Sequence, residues 1–248
     1  MIEPFFFGQR GALAFYHPSN DPAATRMAVI CPPFFDEYRR TYRALSDLAN
    51  ACATNGIHVI RIDYSGTGES QGLLSDIKEN EWVDDINRAI EEGIDLAGVE
   101  STILVGVRFG ATLAAQSNHP SIHRYVFWDP VEDGSTYLST LAEIERQSRK
   151  DHLALSRFLN TRAEDINYAC FPLTDSLTSS LASLTMDAVL ANHNDKVWVV
   201  SSSNIETQNP RYRHCEYSGY AYDWPAYHDG MLTPKPVLER IAKAVLLP

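Results

Sequence analysis

The feature that most constrains this chain is an alternation, starting near residue 26, of short β-branched runs with amphipathic helical stretches. A strand followed by a helix and then another strand reads as a βα unit, and several in series build a parallel sheet with helices on its faces. Residues 27–31 (Met-Ala-Val-Ile-Cys) read as a strand that ends where Pro32 and Pro33 remove two ladder donors. Tyr42 to Thr54 read as a helix with Leu45, Leu48, Ala49 and Cys52 on one face, stopped by Asn55-Gly56. The run from His58 to Asp63 reads as the next strand. After the Gly/Ser loop 64–72 comes a helix with Trp82, Val83, Ile86, Ile90 and Ile94 at helical spacing.

Thr102 to Val105 is an unbroken apolar run, as a strand buried on both faces requires. It leads into Gly106-Val107-Arg108-Phe109-Gly110, a short small-residue helix, and a strand over Arg124–Asp129. Between 135 and 187 the strand rhythm lapses and leucine spacing predicts helices, an inserted cap assigned to residues 135–190. Strands resume at 197–200 and near 213–217, and Pro236 to Leu247 closes the chain as an amphipathic helix. No repeat or linker divides the 248 residues, so 1–248 reads as a single domain.

Composition removes several functions. The net charge of −11, without Lys/Arg blocks, lacks the electrostatic footprint of a nucleic-acid or anionic-lipid binder. No stretch approaches a membrane span or a secretory leader, and the four cysteines are scattered without C-x-x-C pairing. A cytoplasmic protein with free thiols and no metal or cofactor is expected. His119 and His123 stand four apart, but Pro120 prevents a helix from aligning them as ligands. The glycine loop lacks both the G-x-G-x-x-G spacing and the Lys-Ser/Thr of a phosphate loop.

The passage strand, Gly106-Val107-Arg108-Phe109-Gly110, helix has the layout of the G-x-S-x-G nucleophile elbow, with arginine where serine belongs. The two glycines leave room for a backbone that doubles back and lifts its central side chain above the sheet. Here the chain resembles the α/β-hydrolases, and in detail the hydrolase-like proteins associated with exosortase systems. The likeness rests on residues 31–40 (CPPFFDEYRR), 61–70 (RIDYSGTGES), 106–114 (GVRFGATLA) and 128–131 (WDPV). It implies an α/β-hydrolase fold, a mostly parallel central sheet flanked by helices with an inserted helical cap. It also implies an oxyanion hole from the backbone of Phe109 and Phe34, an acid after a late strand, for which Glu206 is the nearest carboxylate, and a last-loop histidine, His228.

Arginine changes what such a site can do. A guanidinium neither loses its proton nor attacks a carbonyl, so an acyl-enzyme at position 108 is excluded. As a cation at a helix N-terminus, Arg108 also opposes the helix dipole by about 0.3 to 1 kcal/mol, which calls for a compensating anion. One reading is a bound carboxylate or phosphate; the other is an internal pair with Asp129 or Asp63 that plugs the pocket. His228 can serve as a general base oriented by Glu206 or Asp229, or be a surface residue among aromatics. Phe34, Phe35, Phe109, Trp128 and Asp129 are the expected substrate-binding residues. Cys31 reads as a buried strand thiol and Ser70 as a turn residue. The function expected is the binding and non-covalent transformation of a small acyl, ester, thioester or anionic compound, free or carrier-bound. The alternative is a catalytically silent binding or scaffold protein on the same fold.

Overall fold

Side chains alternate sides along every central strand, and that alternation decides where the helices pack. A computed structural model describes residues 2–151, 171, 173–186, 196–202, 213–217, 224 and 231–247. Its strands are β1 (Glu3–Phe7), β2 (Ala12–His17), β3 (Arg26–Cys31), β4 (His58–Asp63), β5 (Ser101–Val107), β6 (Ile122–Trp128), β7 (Val197–Ser202) and β8 (Arg213–Tyr217). They form one sheet in the order β1-β2-β4-β3-β5-β6-β7-β8. From β4 to β8 every pairing is parallel, and the β1–β2 hairpin adds antiparallel to the β4 edge.

The helices are α1 (Phe35–Thr54), α2 (Glu79–Ala97), α3 (Phe109–Ala114), α4 (Gly134–Asp151), α5 (Asp175–Ser183) and α6 (Lys235–Leu246). Ala28, Ile30, Val105, Val126 and Trp128 face one side, where they pack with the apolar faces of α1 and α6. Their neighbours Met27, Val29, Leu104, Tyr125 and Phe127 face the other, against Trp82, Ile86 and Ile90 of α2 and the residues of α3. Fully buried aliphatic side chains of this size each contribute about 1.5–3 kcal/mol. The shared layer is what holds the carboxyl ends of β3, β4, β5 and β6 in fixed register.

Two elements differ from the sequence reading. The β1–β2 hairpin precedes the alternation, turning through Gly8 and Gly11 at φ 65° and 66°, a conformation that favours glycine. Helix α1 begins at Phe35, two turns before the expected Tyr42. Its first turns bury Glu37, Arg40 and Thr41, so the inward stripe there is polar and gives no hydrophobic periodicity to follow. Within the segment assigned to the cap, α4 and α5 contact one another and supply Tyr137, Leu138, Leu141, Leu177 and Leu181 to the core.

Candidate functional site

The turn after β5 folds as a sharp elbow. Arg108 sits at φ 53°, ψ −124° between the end of β5 and the first residue of α3. A non-glycine residue in that region carries strain of about 1–3 kcal/mol, which the surroundings must over-determine. They do so through hydrogen bonds: Arg108 N–H donates to the Trp128 carbonyl at 3.0 Å, and its own carbonyl accepts from Ala111 N–H at 3.0 Å and Val131 N–H at 3.3 Å. A Cβ on Gly106 would run into the Ala111 backbone, and one on Gly110 into the Pro32 carbonyl. Both glycines are therefore sterically required. Among the described residues, the non-glycine positions with positive φ are Phe35, Arg108 and Asp129. All three follow the carboxyl ends of neighbouring strands β3, β5 and β6, so the strain is gathered in one place.

The Arg108 side chain is only 15% exposed and is held on three sides. Its Nε donates to Glu37 Oε1 at 3.2 Å, and its Nη1 donates to the Asp129 carbonyl at 2.8 Å. Its guanidinium carbon lies 5.0 Å from the centre of the Trp224 ring, a cation–π contact. Trp224 is fixed in turn. Its indole N–H donates to Asp129 Oδ2 at 2.8 Å, and its carbonyl accepts from Arg40 Nη1 at 2.9 Å. The other oxygen of Glu37 accepts from the Tyr137 hydroxyl at 3.1 Å. Burial pushes the Glu37 carboxyl above the usual carboxylate range, while Arg108 first, then Tyr137 and Arg40, pull it back. The charge at the elbow is thus met from within the protein.

Beside the elbow lies a cavity of about 350 Å³. Phe34, Phe35, Tyr38, Tyr64 and Phe171 line it together with the glycine loop 66–72. Phe34 is the shared wall: its ring lies 5.5 Å from that of Phe109, 5.2 Å from Tyr64 and 4.4 Å from Trp82. Phe109 stacks on Tyr137 at 5.2 Å. The Asp63 carboxylate, at the end of β4, accepts from the Tyr38 hydroxyl at 2.6 Å and from Glu69 N–H at 3.0 Å.

No protein-family profile matches the sequence. No curated protein matches it either. Solved structures do. Est1E from Butyrivibrio proteoclasticus with bound ferulic acid superposes with a TM-score of 0.65 at 13% identity, covering 98% of this chain and 98% of that one. The α/β hydrolase GrgF from Penicillium sp. sh18 gives 0.64 at 14% identity over 99% and 98% of the two chains. The thioesterase domain of the curacin biosynthetic pathway gives 0.58 at 15% identity over 100% of each. The chain has the α/β-hydrolase fold. At such identities the likeness carries the architecture alone, and the chemistry must be argued from this α/β-hydrolase-fold chain's own residues.

Of the residues expected at the site, Phe34 and Phe35 line the cavity, whereas Arg108 and Phe109 form the elbow behind it and are not among its lining residues, Phe109 reaching it only through the Phe34 ring. Trp128 is wholly buried on the α1/α6 side of the sheet, 5.2 Å from Trp224, and lines no part of the cavity. Asp129 is equally buried, and it contributes its carbonyl to Arg108 and its carboxylate to Trp224. The internal partner of Arg108 is therefore Glu37, and neither the Asp129 carboxylate nor Asp63 takes that part. His228, Asp229 and Glu206 lie outside the described residues. Cys31 is fully buried, and desolvation pushes its thiol far above the ordinary range, so it offers no thiolate. Ser70 donates to the Asp63 carbonyl at 2.7 Å and accepts from Leu13 N–H at 2.8 Å, the geometry of a turn lock.

Glu37 and Tyr137 were missed by sequence reasoning. A signal for Glu37 exists: with the helix begun at Phe35, Glu37, Arg40, Thr41 and Ala44 fall at the i, i+3, i+4, i+7 positions of its inward stripe. A carboxylate on that stripe must find a partner inside, although Arg40 on the same stripe turns to the Trp224 carbonyl and the pair is made with Arg108 instead. Tyr137 carries no such signal, because only the packing of α4 over the elbow brings it to Glu37.

Proposed function

We propose that this protein binds a small acyl compound, an ester or thioester, in the aromatic cavity beside the elbow, and that any transformation proceeds without an acyl-enzyme. The observation that carries the reading is the strained elbow bearing an arginine in place of a nucleophile, with the aromatic cavity directly alongside. The backbone N–H of Phe109, first residue of α3, has no carbonyl one turn back to bond, and with that of Phe34 it would polarise a ligand carbonyl. Arg108 acts as a positioning group, since its charge is already balanced by Glu37 and an added anion would have to compete with a buried carboxylate. A polarised neutral carbonyl suits this arrangement better than a free acid. Attack would come from water, with His228 as base and Glu206 as its orienting acid. Est1E with its ferulic acid and the curacin thioesterase domain bear names that agree with acyl ligands. Free, buried thiols at Cys31 and Cys52 fit a cytoplasmic setting.

A second reading, a catalytically silent binding protein, is favoured by the commitment of Arg108 Nε and Nη1 to Glu37 and Asp129. The same experiment separates the two. The protein is incubated with a fluorophosphonate probe and with short-chain aryl esters and acyl thioesters. Neither reading allows labelling, because Arg108 cannot react and Ser70 is locked; a labelled serine overturns both. Turnover above buffer that falls in His228→Ala supports the enzyme. Ligand binding with no turnover supports the silent protein. No binding of any ester or thioester refutes the acyl reading.

A further inference from the structure

The cavity beside the elbow has an unusual chemical signature. Among the described residues lining it there is no charged side chain, and the polar ones are the hydroxyls of Tyr38, Tyr64, Thr67 and Ser70. Each of these hydroxyls already donates its proton to the protein. Tyr38 donates to Asp63 Oδ1 at 2.6 Å and Tyr64 to the Pro32 carbonyl at 3.3 Å. Thr67 donates to the Tyr64 carbonyl at 2.8 Å and Ser70 to the Asp63 carbonyl at 2.7 Å. A hydroxyl has one proton and two lone pairs, so side chains whose protons are all committed can offer a ligand acceptors only, and donors toward it are left to backbone N–H groups such as that of Phe34.

The four are not equivalent. Ser70 also accepts from Leu13 N–H, and Tyr64 is almost wholly buried. Tyr38 is half-buried, and its proton is drawn toward a carboxylate, which raises the electron density on its oxygen and strengthens it as an acceptor. Gly68 keeps the approach to this pair clear: a Cβ there would collide with the Asp63 carboxylate and crowd the Tyr38 hydroxyl. The same carboxylate, one hydrogen bond behind the wall, repels an anion entering the cavity.

We propose that the cavity selects a neutral aromatic ligand that presents a hydrogen-bond donor, a phenolic hydroxyl or an amide N–H, and that Tyr38 is the specificity-determining residue that accepts it. The inference rests on the acyl-binding reading above and narrows its ligand class. Phe34, Phe35 and Phe171 supply the flat apolar walls, with Phe35 and Phe171 rings 4.9 Å apart. An aromatic free acid fails on charge. A fully etherified ring binds more weakly because its oxygen would meet the Tyr38 oxygen with no proton between them.

The test titrates the full chain calorimetrically with ethyl 4-hydroxybenzoate, ethyl 4-methoxybenzoate and 4-hydroxybenzoate anion. The phenolic ester is expected to bind about 2- to 10-fold tighter than the methoxy ester, the range of one net hydrogen bond. The anion should bind more weakly than either. In Tyr38→Phe the ratio between the two esters should fall to about one. Equal binding of the esters to the unmodified protein overturns the inference without needing the variant, and leaves acyl binding standing. Tighter binding of the anion overturns it as well. Failure of both aromatic esters to bind also overturns the inference, while the acyl reading falls only if the wider ester and thioester panel above fails to bind as well.

Discussion

Replacing Arg108 by methionine leaves the elbow backbone under the same Cβ constraint, so the strain at φ 53° cancels and the experiment reads the contacts of the guanidinium, the pair with Glu37 together with the Asp129 carbonyl and the Trp224 face. What remains is Glu37, whose side chain is 4% exposed, with Tyr137 still donating to it and Arg40 nearby. Stranding a buried carboxylate costs about 3–5 kcal/mol, and the surviving Tyr137 and Arg40 place this case near the lower end, about 3 kcal/mol. For a chain of this length that corresponds to a melting temperature lowered by about 6–12 °C. The reverse variant, Glu37→Gln, should cost less, about 2 kcal/mol, because Arg108 keeps the Asp129 carbonyl, the Trp224 face and some access to water. Combining the two should recover much of the loss, which a double-mutant cycle by urea unfolding reads as coupling. The pH dependence has a definite sign. Removing Arg108 takes away the largest influence opposing burial, so the Glu37 pKa in the folded state rises further. A raised folded value means stability is regained at low pH and lost as pH rises through that value. The deficit of Arg108→Met should therefore shrink on acidification. A deficit below about 0.5 kcal/mol, additive with Glu37→Gln and flat with pH, would refute the view that Glu37 neutralises the elbow.

Acid should weaken the whole fold through the buried His17 and the half-buried His58 and His123. His17 is pushed below the ordinary histidine value by burial, is bonded to Asn50 and accepts from Arg61 Nε, and His58 and His123 are also lowered by burial. The stability they supply as neutral rings is present above pH 6.5, the unperturbed value, and is lost as pH falls through their lower folded values. Urea midpoints measured from pH 7.5 to 5 should decline, and His17→Gln should flatten part of that slope; an unchanged slope would remove His17 from the account. Gly110→Ala should prevent folding of soluble protein or lower the melting temperature more than any elbow side-chain change, because its Cβ meets the Pro32 carbonyl. A soluble variant with an unshifted melting curve would contradict the elbow geometry.

Much of the architecture was legible because βα alternation is a local signal. The strands β3 to β8, the helix of Trp82 and Ile86, and the closing helix each declare themselves within one window of periodicity. So did the elbow, because the steric demand of its two glycines is written in adjacent residues. The β1–β2 hairpin was equally local, through Gly8-Gln9-Arg10-Gly11, but lies outside the alternation that organised the reading. The first two turns of α1 were not legible as apolar periodicity, since their inward face is Glu37 and Arg40. The cavity was half legible: Phe34 and Phe35 were expected there, whereas Tyr38 and its tie to Asp63 were not.

By itself the sequence determined that position 108 cannot be a nucleophile, because the chemistry of a guanidinium does not depend on its surroundings. It also determined the sheet-and-helix plan, because binary pattern and turn chemistry act over a few residues. Which anion meets Arg108 was decided only in three dimensions. Glu37 and Arg108 are 71 residues apart, Tyr137 is 100 residues from Glu37, and Trp224 is 95 from Asp129. Contacts at such separations follow from how β3, β5 and β6 stack their carboxyl ends side by side, and no local pattern of residues records that arrangement.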